Sequence, residues 1–270
     1  MNAILKKEIH LFFSSLIAYV SMGVFFIALA LNLFIFDGNI LDSNYATLDT
    51  FFTLAPWILI FLIPAITMRS FADEKQRGTL EFLTTKPITD LQIVLGKYFA
   101  ALLLWTFTFL PTFIYFLAIR KLSLEDAPID SGATYGSYIG LYFLGAVFVA
   151  IGIFSSAVTN NQIVAFLVGV FLCYLMYDAF YRLSLLPIFQ GQLDYFIQSI
   201  GLNAHYDSIS RGVVDTRDIV YFISVIALFL IGTRTAIESR KKKKKKALSH
   251  SITKSISHKF IGCNFYKFNF

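Results

Sequence analysis

Six long apolar runs divide this chain, and no other feature restricts its fold so strongly. They fall roughly at Phe12–Phe36, Phe51–Met68, Tyr98–Ile119, Tyr138–Val158, Ile163–Tyr181 and Ile219–Thr233. A bilayer core about 30 Å thick is crossed by about 20 apolar residues in a helix. Inside it, backbone polar groups must find partners within the protein, which leaves helices or closed barrels. An all-α polytopic membrane protein with six transmembrane helices is therefore predicted, and the composition agrees. Of 270 residues, 57% are hydrophobic, and the mean hydropathy of +0.67 exceeds that of soluble domains. The longest gaps hold only about 30 residues, too few for a soluble catalytic domain. One membrane domain over residues 1–240 is expected, followed by a basic tail over 241–270.

Charge distribution sets the orientation. Asp37–Thr50 (DGNILDSNYATLDT) carries three aspartates and no lysine or arginine, whereas 69–97 carries Arg69, Lys75, Arg77, Lys86 and Lys97. Positive charge is retained on the cytosolic side. The first loop therefore faces outward, the second is cytosolic, and both termini are cytosolic. Arg120 and Lys121 oppose this direction, but acids follow them at Glu125, Asp126 and Asp130. Ahead of the first span, Met1–Leu11 carries Lys6, Lys7 and Glu8 and could pass for the basic start of a signal peptide, but the run from Phe12 is too long for the core of a cleaved signal, so that run is expected to be retained. Ile4, Leu5, Ile9 and Phe12 fall at helical spacing. This suggests an interfacial amphipathic helix, and a plain charged start to the first span remains equally open.

The net charge of +6 belongs to the tail. Residues 240–270 hold ten basic groups and no acid, which leaves 13 basic against 17 acidic residues elsewhere. Nucleic-acid binding is not expected. Lysines 241–246 suit anionic lipid headgroups, each basic group near the surface adding about 1 kcal/mol. Alternatively the lysine run marks an adenine tract at which the reading frame slips, so that residues 247–270 are out of frame. On either reading disorder is expected beyond Lys246. Cys173 and Cys263 lack metal-ligand spacing and predict neither a disulfide nor a metal site.

The longest polar interval is RSFADEKQRGTLEFLTTKPITDLQIVLGK, residues 69–97. Phe71–Arg77 reads as a charged extension of the second span, and Gly78 as a helix end or turn. Thr79–Leu83 is short and amphipathic, with Leu80 and Leu83 one turn apart beside Glu81, and Pro87 stops it. Thr89-Asp90 is a candidate cap for the third span. A short helix that displays apolar knobs and an acid to the cytosol is suited to docking in a groove of another protein.

Glu74, then Gly78-Thr79-Leu80-Glu81, Leu83-Thr84, Pro87 and Leu95-Gly96-Lys97, together resemble the cytosolic signature of type-2 ABC transporter permeases, an export-type class with six spans per subunit. The resemblance implies a coupling helix between the second and third spans, formed around Glu74, Gly78, Thr79, Leu80, Glu81, Leu83 and Pro87, that seats on a separate ABC ATPase subunit. ATP and magnesium would be bound there, with no cofactor in this chain. It also implies a homodimer or heterodimer of permeases in a bacterial inner membrane. MNAILKKEIHLFFSSLIAYV and APWILIFLIPAITMRSFADEKQRGTLEFLTTKPI are further similar to the GldF group, the gliding-motility-associated permeases of Bacteroidetes. That narrower resemblance implies a second membrane component with an extracytoplasmic domain.

Within the spans, Pro56 and Pro64 are expected to bend or interrupt the second helix. Gly136, Gly140, Gly145, Ala146, Ala150 and Gly152 mark the fourth as a close-packing surface, used either within one subunit or between two. Asp178 lies near the outer end of the fifth span, four residues before Arg182. Such an acid is either functional or half of a structural ion pair. The outer segment 186–218 is expected to hold short interfacial or re-entrant helices, with His205 a solvated loop residue. The sixth run has 15 residues, about 22 Å of helix, and is expected to extend into its flanks.

No catalytic constellation is present. There is no GxxxxGK[ST] phosphate loop and no HExxH. A proton- or sodium-coupled carrier would want several ionisable sites at mid-membrane, and only Asp178 comes near. A non-transporting scaffold of a surface machine also remains open.

Overall fold

In the computed structural model, residues 2–36, 47–79, 89–123, 130–188, 191, 193–212 and 214–265 are described, and all regular structure among them is helical. The helices are α1 (Asn2–Phe13), α2 (Leu16–Phe34), α3 (Asp49–Thr67), α4 (Arg69–Gln76), α5 (Asp90–Phe109), α6 (Phe113–Leu122), α7 (Ser131–Val158), α8 (Gln162–Tyr174), α9 (Phe180–Ser184), α10 (Asp194–Ile200), α11 (Leu202–Ser210) and α12 (Thr216–Phe265). Six helical stretches among the described residues are long and apolar enough to cross a membrane: Leu16–Phe34, Asp49–Gln76, Asp90–Lys121, Ser131–Val158, Gln162–Ser184 and Thr216–Lys242. These are the six expected spans. The sixth does extend at both ends, to 27 residues.

The fourth span, α7, is the hub, packed by α3, α4, α5, α8, α11 and α12. Its small residues explain how so many neighbours approach. A Cβ at Gly145 would overlap the Trp105 indole of α5, and one at Gly152 would overlap the Thr67 hydroxyl of α3. At the GxxxG, a Cβ on Gly136 would stand 2.7 Å from the Ile209 carbonyl oxygen, and one on Gly140 would stand 3.3 Å from the Tyr206 ring. That stripe thus seats α11 of the same chain.

Of the two outcomes expected of its prolines, interruption does not occur in the second span. α3 runs unbroken through Pro56 and Pro64 and ends at Met68. Proline at 56 leaves the Phe52 carbonyl without its helical donor, and the Tyr206 hydroxyl of α11 donates to it at 2.9 Å. Around this bond lies an aromatic cluster, with Phe52 and Phe51 against Tyr138, and Tyr138 stacked on Phe113 at 4.4 Å. Pro111 opens a 3-10 turn, Leu110–Thr112, in the third span, and the Thr112 carbonyl accepts from Tyr138 at 2.9 Å.

His205 is not solvated either. Its Nδ1 lies 2.7 Å from Asp218 and its Nε2 3.0 Å from the Ser199 carbonyl, while the ring stacks on Tyr221 at 3.8 Å. It joins α10, α11 and the start of the sixth span. The expected short helices of the outer segment are α10 and α11.

Among the described residues the backbone of α12 is helical through Phe265. Between Arg234 and Ile261 there is no proline and no glycine, and lysine is a good helix former.

Candidate functional site

The residues that matter gather at the cytosolic end, where α1, α4, α5 and the C-terminus of α7 meet. α1 is a helix separate from the first span, and it buries Ile4, Glu8 and Phe12 on one stripe. α5 begins with a capping box. The Thr89 side chain accepts from the Gln92 N–H, and the Gln92 side chain accepts in return from the Thr89 N–H. On its buried stripe lie Ile93, Val94, Lys97, Ala100 and Ala101. Gly96 lets the two helices touch, since a Cβ there would stand 3.1 Å from Ile4.

Each of these apolar stripes carries one charge, and the two charges meet. The Lys97 ammonium, 1% exposed, donates to Glu8 at 2.9 Å and to the Ser70 carbonyl at 2.6 Å, and lies 3.1 Å from Glu74. It also sits 4.9 Å from the centroid of the Phe71 ring. Lys7 closes the set by donating to Glu74 at 2.8 Å. Burial lowers the Lys7 pKa, but the Glu74 and Glu8 carboxylates more than offset this and hold it above its ordinary value. Two lysines and two glutamates from three helices thus form one network around α4.

A second set of bonds ties α4 to α7. The chain breaks at Met68 between α3 and α4, and Ser156 fills the break. Its hydroxyl accepts from the Phe71 N–H at 2.9 Å and the Ala72 N–H at 3.0 Å, and donates to the Met68 carbonyl at 2.8 Å. These N–H groups belong to the first turn of α4, which has no helical partners of its own. Lys75 reaches the other way. It donates to the carbonyls of Ala157 and of Thr159, the latter at 3.0 Å, neutralising the negative end of α7. Asp73 pairs with Arg77 at 3.0 Å and accepts from Gln162 of α8 at 2.8 Å.

Glu74 is 8% exposed and turned into the network. Gly78 takes a left-handed conformation, φ 71°, that ends α4, and the Thr79 hydroxyl donates to the Glu74 carbonyl at 3.3 Å. Leu80, Glu81, Leu83 and Pro87 lie outside the described residues. Asp178 and Arg182 are at the opposite, outer end. They do pair, Asp178 buried on a π-helical turn (Leu175–Ala179) and Arg182 exposed. Asp178 also borders an outer cavity of about 430 Å³. Of the tail, Arg240 bonds Asn160, and Lys241 pairs with Asp90 at the start of α5.

The sequence reading gives no site role to Glu8 or Ser156, and it takes Lys97 and Lys75 only as cytosolic charges and, for Lys97, as part of the Leu95-Gly96-Lys97 signature. A signal for Glu8 and Lys97 existed. Glu8 lies midway between Ile4 and Phe12 on the apolar stripe of α1, and Lys97 interrupts the stripe of α5. Ser156 and Lys75 had no such signal, because their partners are backbone groups exposed by a helix break and a helix end.

No group of three or more His, Cys, Asp or Glu residues suited to a metal occurs among the described residues. A comparison with curated proteins gives no match. A family model described as ABC-2 family transporter protein matches residues 4–258. That match takes in all six spans and the cytosolic network, and the chain belongs to the ABC-2 transporter family.

Proposed function

We propose that the chain is the permease subunit of an ATP-driven exporter, and that α4 with the loop after it receives the movement of a separate ABC ATPase. The observation that carries this reading is the buried network around Lys97. A loop meant only to connect two spans needs no such anchorage, whereas a lever needs a rigid base. Leu80 and Leu83 would dock in the motor, with Glu81 supplying charge and Gly78 and Pro87 bounding the segment. Glu74 would hold the base of the lever. The Lys97 network and the Ser156 clamp would then pass the motion to α1, α5 and α7.

ATP and magnesium belong to the partner in this reading, and the chain itself holds no cofactor. Two copies, or one with a related permease, would form the pathway in a bacterial inner membrane. The similarity to gliding-motility permeases supports a place in that machinery, beside a second membrane component with an extracytoplasmic domain. The lysine run beyond Lys241 would meet anionic lipid. As for Asp178, its pairing with Arg182 favours a structural role.

The test is co-purification from native membranes in mild detergent, comparing wild type with a Leu80→Asp, Glu81→Arg double variant. Wild type should bring down a P-loop ATPase, and the variant should insert normally and lose it. Full retention by the variant, or no ATPase with wild type, would leave residues 77–88 a solvated loop and favour an ion-coupled carrier or a scaffold.

A further inference from the structure

Between α1, the start of α2 and α4 lies a cavity of about 730 Å³ that the coupling reading leaves unused. One wall is polar. Its lining cations Lys7, Lys97 and Arg77 all have carboxylate partners, but Arg69 is exposed and has no ion pair among the described residues. The N-terminus of α2, a 19-residue helix, opens onto the same space through Ser15 and Leu16, and the Ser15 side chain makes no cap bond. The buried Ser70 hydroxyl oxygen in this wall, on a residue 4% exposed, has no hydrogen-bond partner. An uncapped helix start and a free guanidinium favour an anion, and the Ser70 hydroxyl is free to donate to one. The unpartnered Glu74 Oε2 in the same lining would repel it and sets the phosphate at the Arg69 and α2 side of the cavity.

The other wall is apolar, with Leu11, Ile17 and Ile66. It continues onto the outer face of α2, where Leu16, Val20, Val24 and Ile27 are each more than half exposed and lie at helical spacing along one side. The cavity borders the start of the first span, Leu16–Phe34, and with the N-terminus cytosolic that end falls at the depth of the inner-leaflet headgroups. We propose that it binds the phosphate of an inner-leaflet phospholipid through Arg69 and the start of α2, with the acyl chains laid along that face. This proposal needs the membrane orientation but not the ATPase, so the two can fail separately.

The test is native mass spectrometry of the delipidated full-length chain titrated with dioleoylphosphatidylglycerol, with diolein (no phosphate) and with glycerol 3-phosphate (no acyl chains). Arg69→Ala and Ser15→Asp are the variants. Aspartate at 15 caps α2 better than serine, so it leaves the fold intact while repelling a phosphate. The wild type should take up one phosphatidylglycerol ahead of all others, and each variant should weaken that first binding about tenfold, ~1.4 kcal/mol. Diolein should not compete. The proposal is overturned if both variants bind like wild type, or if diolein binds as well as phosphatidylglycerol. Displacement of the lipid by glycerol 3-phosphate would also overturn it, by identifying a soluble phosphate ligand. Should Arg69→Ala not fold, Ser15→Asp decides alone.

Discussion

The Lys97 ammonium of the third span stands 2.9 Å from the Glu8 carboxylate of the interfacial helix, 89 residues away in sequence. Both side chains are buried, and Glu74 of α4 shares the same lysine at 3.1 Å. A buried ion is tolerated only when paired. The position of α4 is thereby fixed against α1 and α5 at the point where the cytosolic loop leaves the membrane.

Ser156→Ala removes the acceptor that two N–H groups of α4 share. Each orphaned donor costs about 1–3 kcal/mol. Because the loss is local, amide exchange over residues 69–76 should accelerate at least tenfold while α7 and α8 stay protected. Unchanged exchange in α4 would show that the Ser156 bonds contribute nothing to its anchorage.

Tyr206→Phe deletes the donor that serves the carbonyl freed by Pro56. It should lower stability by about 1–2 kcal/mol, read as a lower melting temperature in detergent. With Pro56→Ala in place, residue 56 regains an N–H for Phe52, and the same tyrosine change should then cost much less. Equal costs in the two backgrounds would contradict the pairing.

Gly145→Ala drives a methyl group into the Trp105 indole and should cost about 1–3 kcal/mol through overpacking. Adding Trp105→Leu makes room, so the double variant should melt above Gly145→Ala. A double variant no better than the single would place the strain elsewhere.

The spans were legible because a bilayer imposes length and hydropathy on a helix, and the runs beginning near Phe51, Tyr138 and Ile163 map onto α3, α7 and α8. Boundaries were less so. The charged extension read at Phe71–Arg77 is indeed helical to Gln76, but nothing in the sequence shows that Ser156 and the Lys97 network are what hold it. How Pro56 is accommodated was not legible for a related reason, since it depends on a tyrosine 154 residues from the carbonyl it frees. The small residues of α7 announced close packing but not their partners. His205 likewise gave no sign of Asp218 and Tyr221, which meet it only through the fold of the outer segment. Glu8 could have been found, as a lone acid on an apolar stripe, and the stripe of α5 offered its counter-ion.

The most direct measurement of the central claim, that the buried network transmits the motor's movement, uses Glu8→Gln, Glu74→Gln and Lys97→Met together. Neutralising all three removes every fully buried charge of the network and leaves only the half-exposed Lys7 without a carboxylate, and loss of a whole buried ionic set is tolerated far better than loss of one partner. The triple variant should therefore fold and melt at or above wild type, and should bind its co-purifying ATPase in the same ratio. Permease-stimulated ATP hydrolysis should nonetheless fall about tenfold, ~1.4 kcal/mol of lost coupling. A folded triple variant that binds the ATPase and stimulates it as fully as wild type would contradict the account, leaving the network a structural anchor alone.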